Sequence, residues 1–149
     1  MKKVKLLPPT YLLISIIIMV FIHIFLPLII IIPAPWRLTG VVILTLGISI
    51  NVIADDSFRN AGTTVMPFKE SKFLLTEGLY GISRNPMYLG FVLILFGVSV
   101  LLGSISPYFI IVIFINLIDQ RFIIAEEDML MKRFGTAYLE YKTRVRRWI

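Results

Sequence analysis

Hydrophobic and polar positions divide the chain into four apolar runs separated by polar segments. The runs cover residues 10–32, 38–54, 87–102 and 107–124. At ~1.5 Å of rise per helical residue, the first run crosses a hydrocarbon core of about 30 Å with ease, whereas the two middle runs are short for that distance. The pattern predicts an all-α integral membrane protein with about four transmembrane helices.

Two longer polar segments remain, a connection over residues 55–86 and a tail over residues 125–149. The connection is rich in apolar and aromatic residues, which favours a folded loop over a disordered one. In the tail, the fourth helix is predicted to continue to about Phe134 and to stop at Gly135, and a short helix is predicted to start at Thr136. With no internal repeat, residues 1–149 are interpreted as one domain.

The charged residues predict how the chain is oriented. If the N-terminus is cytoplasmic, the basic residues of the N-terminus, the 55–86 connection and the tail all lie inside, and only Arg37 lies outside. All acidic residues then lie inside as well. Both termini are therefore predicted to be cytoplasmic, and any chemistry is expected at the cytoplasmic face. The first run is too long for the core of a signal peptide and is interpreted as a retained helix.

Composition narrows the function classes. The chain is 58% hydrophobic, contains no Cys and has one His, which is His23. Disulfides, Cys-ligated metals and thiol catalysis are thereby excluded, and His23 cannot form a metal site unaided. The net charge is +6, and the basic residues that produce it flank the apolar runs. This arrangement indicates anionic lipid headgroups as partners and argues against nucleic acid. Arg144, Arg146 and Arg147 are predicted to anchor the tail to such headgroups.

The stretch from Arg84 to Tyr88 begins the third apolar run with the letters RNPMY. Asn85 is suited to the N-cap position and Pro86 to the first helical position, where its missing N–H costs nothing. Arg84 and Tyr88 lie beside this helix start, which would form a corner suited to an anion. At the end of the fourth run, Glu126 suits a cationic ligand, although a solvated acidic face explains the same residues. No P-loop, dinucleotide fingerprint, GxSxG or HExxH motif is present.

Two stretches together resemble a known family. LLTEGLYGISRNPMYLG, followed by EEDMLMKRFGTAYLEYKTRVRR, is similar to the isoprenylcysteine carboxyl methyltransferase family and its phospholipid methyltransferase relatives, over residues 72–147. Members are small integral membrane enzymes that use S-adenosylmethionine. The resemblance implies that this cofactor is bound by Lys72, Phe73, Leu74, Leu75, Tyr80, Arg84, Asn85, Pro86, Met87, Tyr88 and Glu126. The carboxylate of the cofactor suits Arg84 and its ammonium suits Glu126.

The chain departs from the family pattern at two positions. Asn85 occupies the place of a family His, and Phe122 occupies the place where prenylcysteine methyltransferases have an Arg, with Arg121 next to it. Because neighbouring residues of a helix point in directions about 100° apart, Arg121 and Phe122 are expected to face different ways. Arg121, together with Glu127 as a base, is the candidate for catalysis.

The leading hypothesis is methyl transfer from S-adenosylmethionine to a lipophilic acceptor, either an isoprenylcysteine-like carboxylate or a lipid headgroup, at the cytoplasmic membrane face. The alternatives are a membrane sterol or enone reductase that uses NADPH, and a non-enzymatic membrane scaffold. A membrane lipid or lipidated small molecule is the expected substrate, and the sequence implies no protein partner.

Overall fold

The computed structural model describes residues 6–60 and 73–149, and these residues contain seven α-helices. They are α1 (Pro8–Phe25), α2 (Ala34–Arg37), α3 (Thr39–Asn60), α4 (Pro86–Leu102), α5 (Ser106–Ile118), α6 (Ile124–Phe134) and α7 (Thr136–Arg144), with a 3₁₀ turn at Gly78–Gly81 and a π-helical turn at Asp119–Ile123. Within these residues, Pro8–Phe25, Ala34–Asn60 and Ser106–Phe134 are long and apolar enough to cross a membrane, and Pro86–Leu102 is a shorter apolar helix. The predicted all-α membrane fold is confirmed.

The first helix is shorter than predicted. It ends at Phe25, and Leu26 has φ −143° and ψ 63°. Pro27 follows, and a residue before proline is driven out of the α region. Beyond this point the backbone is paired with the turn between α4 and α5: Ile31 N–H donates to the Gly103 carbonyl at 2.9 Å, and Ile105 N–H donates to the Ile29 carbonyl at 2.9 Å. The predicted helical end at residue 32 is wrong for that reason.

Two pairs of glycines bring α3 and α4 into backbone contact. A Cβ built at Gly40 would lie 2.5 Å from the Gly97 carbonyl oxygen, and one built at Gly47 would lie 2.7 Å from the Gly90 carbonyl oxygen. In both helices the two glycines are seven residues apart, so they lie on one face, and the antiparallel helices meet at both levels. Small residues at a helix interface are a common basis of packing in membranes.

The buried core lies between α1, α4 and α5. Met19, Leu95, Phe114 and Ile118 are almost completely buried there. The opposite faces of these helices expose large apolar side chains such as Phe21. A soluble protein rarely exposes so much apolar surface, whereas lipid tails cover it at no cost.

Helix α5 continues through the π turn into α6, so that Ser106–Phe134 forms one rod of 29 residues. At ~1.5 Å per residue this rod is about 43 Å long, which exceeds a hydrocarbon core of about 30 Å, and its α6 end therefore extends beyond that core. Gly135, with φ +50°, ends α6, and α7 starts at Thr136. The stop and the short tail helix are confirmed as predicted.

The predicted connection over residues 55–86 begins later than expected. Helix α3 runs on to Asn60, and an ion pair between Asp55 and Arg59 at 2.7 Å supports this last turn through (i, i+4) spacing. The helix therefore extends beyond the predicted end at residue 54, because its polar end is held by its own side chains.

Candidate functional site

The start of α4 lies beside α6, α7 and the last residues of the chain. Helix α4 begins at Pro86 with Asn85 at the N-cap position, as predicted, but the Asn85 side chain makes no capping hydrogen bond. Its Nδ2 instead donates to the Arg147 carbonyl at 3.0 Å. The Asn85 N–H donates to Ser83 Oγ at 3.1 Å. The capping role predicted for the Asn85 side chain is wrong, because the tail competes for it.

Glu126 on α6 faces Tyr88 on α4. The Tyr88 hydroxyl donates to Glu126 Oε1 at 2.7 Å, and Tyr88 itself packs against Phe91 and Phe122. Among the residues that the structure describes, Glu126 has no hydrogen-bond partner besides Tyr88 and no ion pair. A partly buried carboxyl group in aromatic surroundings, with one oxygen unused, is suited to hold a cation.

Tyr80, in the 3₁₀ turn, lies between α3 and this carboxyl group. Its ring meets Phe58 of α3 edge to face at 5.3 Å. Burial raises the pKa of the Tyr80 hydroxyl, and the charges of Tyr141, Glu126 and Asp55 raise it further. The Tyr141 hydroxyl donates to the Tyr80 carbonyl at 2.6 Å, which ties the turn to α7.

Glu127, the neighbour of Glu126, lies in a network of ion pairs. Arg147 donates to it through two nitrogens, from Nε to Oε1 at 2.9 Å and from Nη2 to Oε2 at 2.8 Å. Arg84 Nη1 lies 3.0 Å from Oε1, and the side chains of Arg84 and Glu127 are only 8% and 12% exposed. Lys142 Nζ approaches Oε2 at 3.9 Å. Both oxygens of Glu127 are thus occupied by basic groups.

The side chain of Arg84 has a buried donor without an acceptor among the described residues. Its Nη1 also donates to the Tyr138 hydroxyl at 3.3 Å, and its main-chain N–H donates to the Arg146 carbonyl at 3.0 Å. Nε is buried and has no acceptor within residues 6–60 and 73–149. A buried donor without an acceptor is costly, and the cost is larger on a charged group. This atom is therefore suited to an anionic oxygen from a ligand.

Arg121 and Phe122 lie on the π turn and point in different directions. Phe122 is 3% exposed and packs against Tyr11 and Tyr88. Arg121 is exposed and forms no ion pair with any described residue. The structure therefore places Phe122, and not Arg121, beside Tyr88 and Glu126.

The other residues predicted to bind the cofactor differ in how deeply they are buried. Pro86 is buried, Met87 and Leu75 are half-buried, and Phe73 is 58% exposed. Leu74 packs against a buried cluster of Tyr138, Tyr141 and Val145. Lys72 lies outside the described residues. An open cavity of about 320 Å³ lies between the 3₁₀ turn and α7, and it is lined by Thr76, Glu77, Gly81, Tyr141, Arg144 and Val145.

The sequence did not predict that Arg147 and Asp119 belong to the network of ion pairs around Glu127. Arg147 Nη1 donates to the two Asp119 oxygens at 3.1 and 3.2 Å, so Arg147 joins Asp119 to Glu127. The tail arginines were predicted to bind lipid headgroups together, and for Arg147 this is wrong because carboxylates of the protein occupy its guanidinium. No local pattern signals such a contact, since Asp119 is 28 residues away in sequence. Among the described residues, no group of three acidic or His side chains is placed to hold a metal ion.

The chain is similar in sequence to known proteins. The chain is 41% identical over 63 residues to an uncharacterised protein of Haemophilus influenzae, which covers 42% of this chain and all of that protein. It is 34% identical over 73 residues to the protein-S-isoprenylcysteine O-methyltransferase of Schizosaccharomyces pombe, which covers 48% of this chain and 30% of that enzyme. The family model for phospholipid methyltransferases matches residues 36–137. That match includes α3, α4, Glu126 and Glu127, and the chain therefore belongs to the phospholipid methyltransferase family.

Proposed function

We propose that this protein transfers a methyl group from S-adenosylmethionine to a lipid acceptor at the cytoplasmic face of a membrane. Membership in a methyltransferase family supports an enzymatic role, and the apolar outer surface of the helices supports an acceptor that arrives through the bilayer. The observation that carries the proposal is the contact of the Tyr88 hydroxyl with Glu126 at 2.7 Å. It leaves a carboxylate oxygen available to a cation beside the start of α4.

The charged groups of S-adenosylmethionine fit the residues around this contact. Its ammonium group matches the unused oxygen of Glu126, and its carboxylate matches the buried Nε of Arg84, which has no acceptor among the described residues. The start of α4, where Asn85 and Pro86 precede Met87, adds the main-chain N–H of Met87 and a positive helix end. For the nucleoside we propose contacts with Tyr80, Leu74, Leu75, Phe73 and Lys72.

The reaction demands position more than acid–base chemistry. When bound, S-adenosylmethionine would supply an electrophilic methyl group, and the acceptor atom would form its bond to that carbon as the bond from carbon to sulfur breaks. An amine acceptor would attack as the free base, after its ammonium proton has passed to water at the headgroup surface. Alignment in such a displacement contributes much of the acceleration, and exclusion of water contributes more. Tyr88, Phe91 and Phe122 supply apolar walls for this purpose.

The two candidates for catalysis receive different roles in this proposal. Glu127 has both oxygens held by guanidinium groups, so we assign it to maintaining the site and not to accepting a proton. Arg121 is exposed on the π turn, where it would contact the acceptor headgroup from the lipid side. Because Phe122 offers no cation beside Glu126, the arrangement favours a lipid headgroup over a prenylcysteine carboxylate.

The cofactor is tested by calorimetry on the detergent-purified protein with S-adenosylmethionine, S-adenosylhomocysteine and NADPH. We expect the two sulfur nucleosides to bind and NADPH not to bind. Glu126→Gln removes a charged partner worth about 1.5–3 kcal/mol, so the Kd should rise at least about tenfold. Asp128→Asn is the matched control, because Asp128 is exposed and its one ionic partner among the described residues is Lys132. Equal affinity of Glu126→Gln and the wild type would remove Glu126 from the site.

The acceptor is tested with S-adenosylmethionine labelled at the methyl group. Label should enter vesicles that contain an amine phospholipid, and a farnesylated cysteine analogue should accept little. The reverse preference would refute the assignment of the acceptor.

The orientation is tested separately. Since the chain has no Cys, single cysteines introduced as Ile149→Cys and Trp36→Cys should react with a membrane-impermeant reagent from opposite sides of the membrane. Reaction of both cysteines from the same side would refute the proposed orientation.

A further inference from the structure

The segment after α7 is attached to the start of α4 by its main chain. The Arg146 carbonyl accepts the Arg84 N–H at 3.0 Å. The Arg147 carbonyl accepts Asn85 Nδ2 at 3.0 Å and the Ser83 hydroxyl at 3.4 Å. Trp148 then packs against the buried core between the membrane helices. The segment is therefore held in place on both sides of Arg147.

The Arg147 side chain bridges the π turn, from its first residue to a residue beyond its end. Asp119 is the first residue of that turn, and Glu127 lies one helical turn beyond its end. One guanidinium group bonds both carboxylates, at 2.8 and 2.9 Å to Glu127 and at 3.1 and 3.2 Å to Asp119. Two carboxylates that would repel each other are thus drawn to one planar cation. These bonds to Glu127, with the charge of Asp119, raise the pKa of Arg147 above its ordinary value, so the cation is permanent.

The π turn decides which way Glu126 faces. A π turn holds one residue more than an α-helical turn, and π turns are rare because their geometry is less favourable. If the turn relaxed to α geometry, everything after it would rotate by about 100° relative to α5. Glu126 would then leave Tyr88, and Glu127 would leave Arg84. A bond across the turn resists that relaxation.

We propose that Arg147 is a positioning residue for the cofactor site: by joining Asp119 to Glu127 and holding Asn85 through its carbonyl, it keeps the π turn and directs Glu126 and Arg84 toward one ligand. This inference rests on the proposed function for the identity of the ligand. It gives the tail a role in the site itself, in place of the lipid anchoring that its three arginines suggest.

The proposal is tested with Arg147→Gln, Arg147→Lys and the control Arg144→Gln. Arg144 is exposed, lies three residues away and loses the same charge in its variant. Two quantities are measured on each detergent-purified protein: the Kd for S-adenosylmethionine by calorimetry, and hydrogen exchange of the main chain over residues 83–90 and 119–127 without cofactor. Hydrogen exchange reports the positioning and does not depend on what the site binds.

We expect Arg147→Gln to raise the Kd about tenfold and to increase exchange in both segments. Arg147→Lys should fall between Arg147→Gln and the wild type, because an ammonium keeps the charge but cannot reproduce the planar fork. Arg144→Gln should match the wild type in both measurements. If tail charge acted only through lipid or detergent headgroups, Arg144→Gln and Arg147→Gln would have equal effects, which would overturn the proposal.

The proposed function and the positioning role of Arg147 are refuted by different results. If the wild type does not bind S-adenosylmethionine, the proposed function fails, and exchange over residues 83–90 and 119–127 still decides whether Arg147 positions these segments. If the wild type binds and Arg147→Gln binds equally well with unchanged exchange, the positioning role is refuted. Should Arg147→Gln not fold, Asp119→Asn removes one arm of the network only; a smaller loss of affinity with increased exchange over 119–127 supports the proposal, and no change in either refutes it.

Discussion

Adding one methyl group at Gly47 should separate α3 from α4. The Cβ of an alanine there would lie 2.7 Å from the Gly90 carbonyl oxygen and 2.8 Å from the Ile94 main-chain nitrogen. Non-bonded carbon contacts are comfortable at about 3.5–4.0 Å. Both neighbouring atoms belong to the main chain of α4, so no change of rotamer relieves the overlap. The helices must move apart by roughly 1 Å.

Two opposing terms set the size of the effect. Alanine favours a helix over glycine by about 1 kcal/mol. Overpacking costs typically 1–3 kcal/mol, and this overlap belongs at the upper end because it is rigid on both sides. We therefore expect Gly47→Ala to lower the free energy of unfolding by about 1–2 kcal/mol. A change of this size moves the Tm of a chain of this length down by roughly 2–8 °C.

The assay is thermal unfolding in detergent, followed by circular dichroism. Ser49→Val is the control, because Ser49 lies two residues away on the exposed side of α3, where a larger side chain meets only detergent. A Gly47→Ala protein that unfolds at or above the temperature of the wild type would refute the close contact of α3 and α4.

Two further substitutions test the site. Tyr88→Phe removes the hydroxyl that donates to Glu126 at 2.7 Å, so the Kd for S-adenosylmethionine should rise about tenfold in calorimetry, while Tyr108→Phe, which breaks no hydrogen bond of the described structure, should leave it unchanged. Tyr141→Phe leaves the Tyr80 carbonyl without its donor and should lower the free energy of unfolding by about 1–3 kcal/mol in thermal unfolding. Burial raises the pKa of Tyr141 from 10.0 to about 12; its contribution to stability should therefore be complete below pH 10 and be lost as the pH rises through 12. Phenolate absorbance should follow that loss, and a titration of Tyr141→Phe identical to the wild type would contradict the assignment.

The apolar runs predicted the membrane helices because burial in lipid acts on each segment separately. The start of α4 at Pro86, the stop at Gly135 and the tail helix follow from local residue chemistry in the same way. The end of α1 at Phe25 was readable in principle, since Pro27 lies two residues further on. The seven-residue spacing of glycines in both α3 and α4 was likewise a readable signal of close packing that the hydrophobic pattern concealed.

The contacts of the site could not be read in this way. Glu127 meets Arg147 across 20 residues, and Asn85 meets the Arg147 carbonyl across 62. Such contacts depend on where α6 and the tail come to lie, and neither composition nor spacing encodes that placement. Neighbouring residues alone therefore indicate a capping role for Asn85 and a headgroup-binding role for Arg147. Each role would be favoured only if contacts with the rest of the fold were absent.

Glu126 and Glu127 show why geometry must separate residues that the sequence makes equivalent. They are adjacent in sequence, and about 100° of helical rotation turns one toward Tyr88 and the other toward Arg84 and Arg147. Among the described residues, the first carboxylate has Tyr88 as its one hydrogen-bond partner, whereas the second has both oxygens occupied. Which of the two faces Tyr88 depends on the extra residue in the π turn at Asp119–Ile123, a feature without a sequence signature. The different roles proposed for Glu126, which would bind the ligand, and Glu127, which would support the site, therefore depend on the geometry of that turn. Inserting one alanine after the turn, between Ile123 and Ile124, should rotate α6 by about 100°, turn Glu126 away from Tyr88 and abolish binding of S-adenosylmethionine in calorimetry, although every charged side chain of the network is retained.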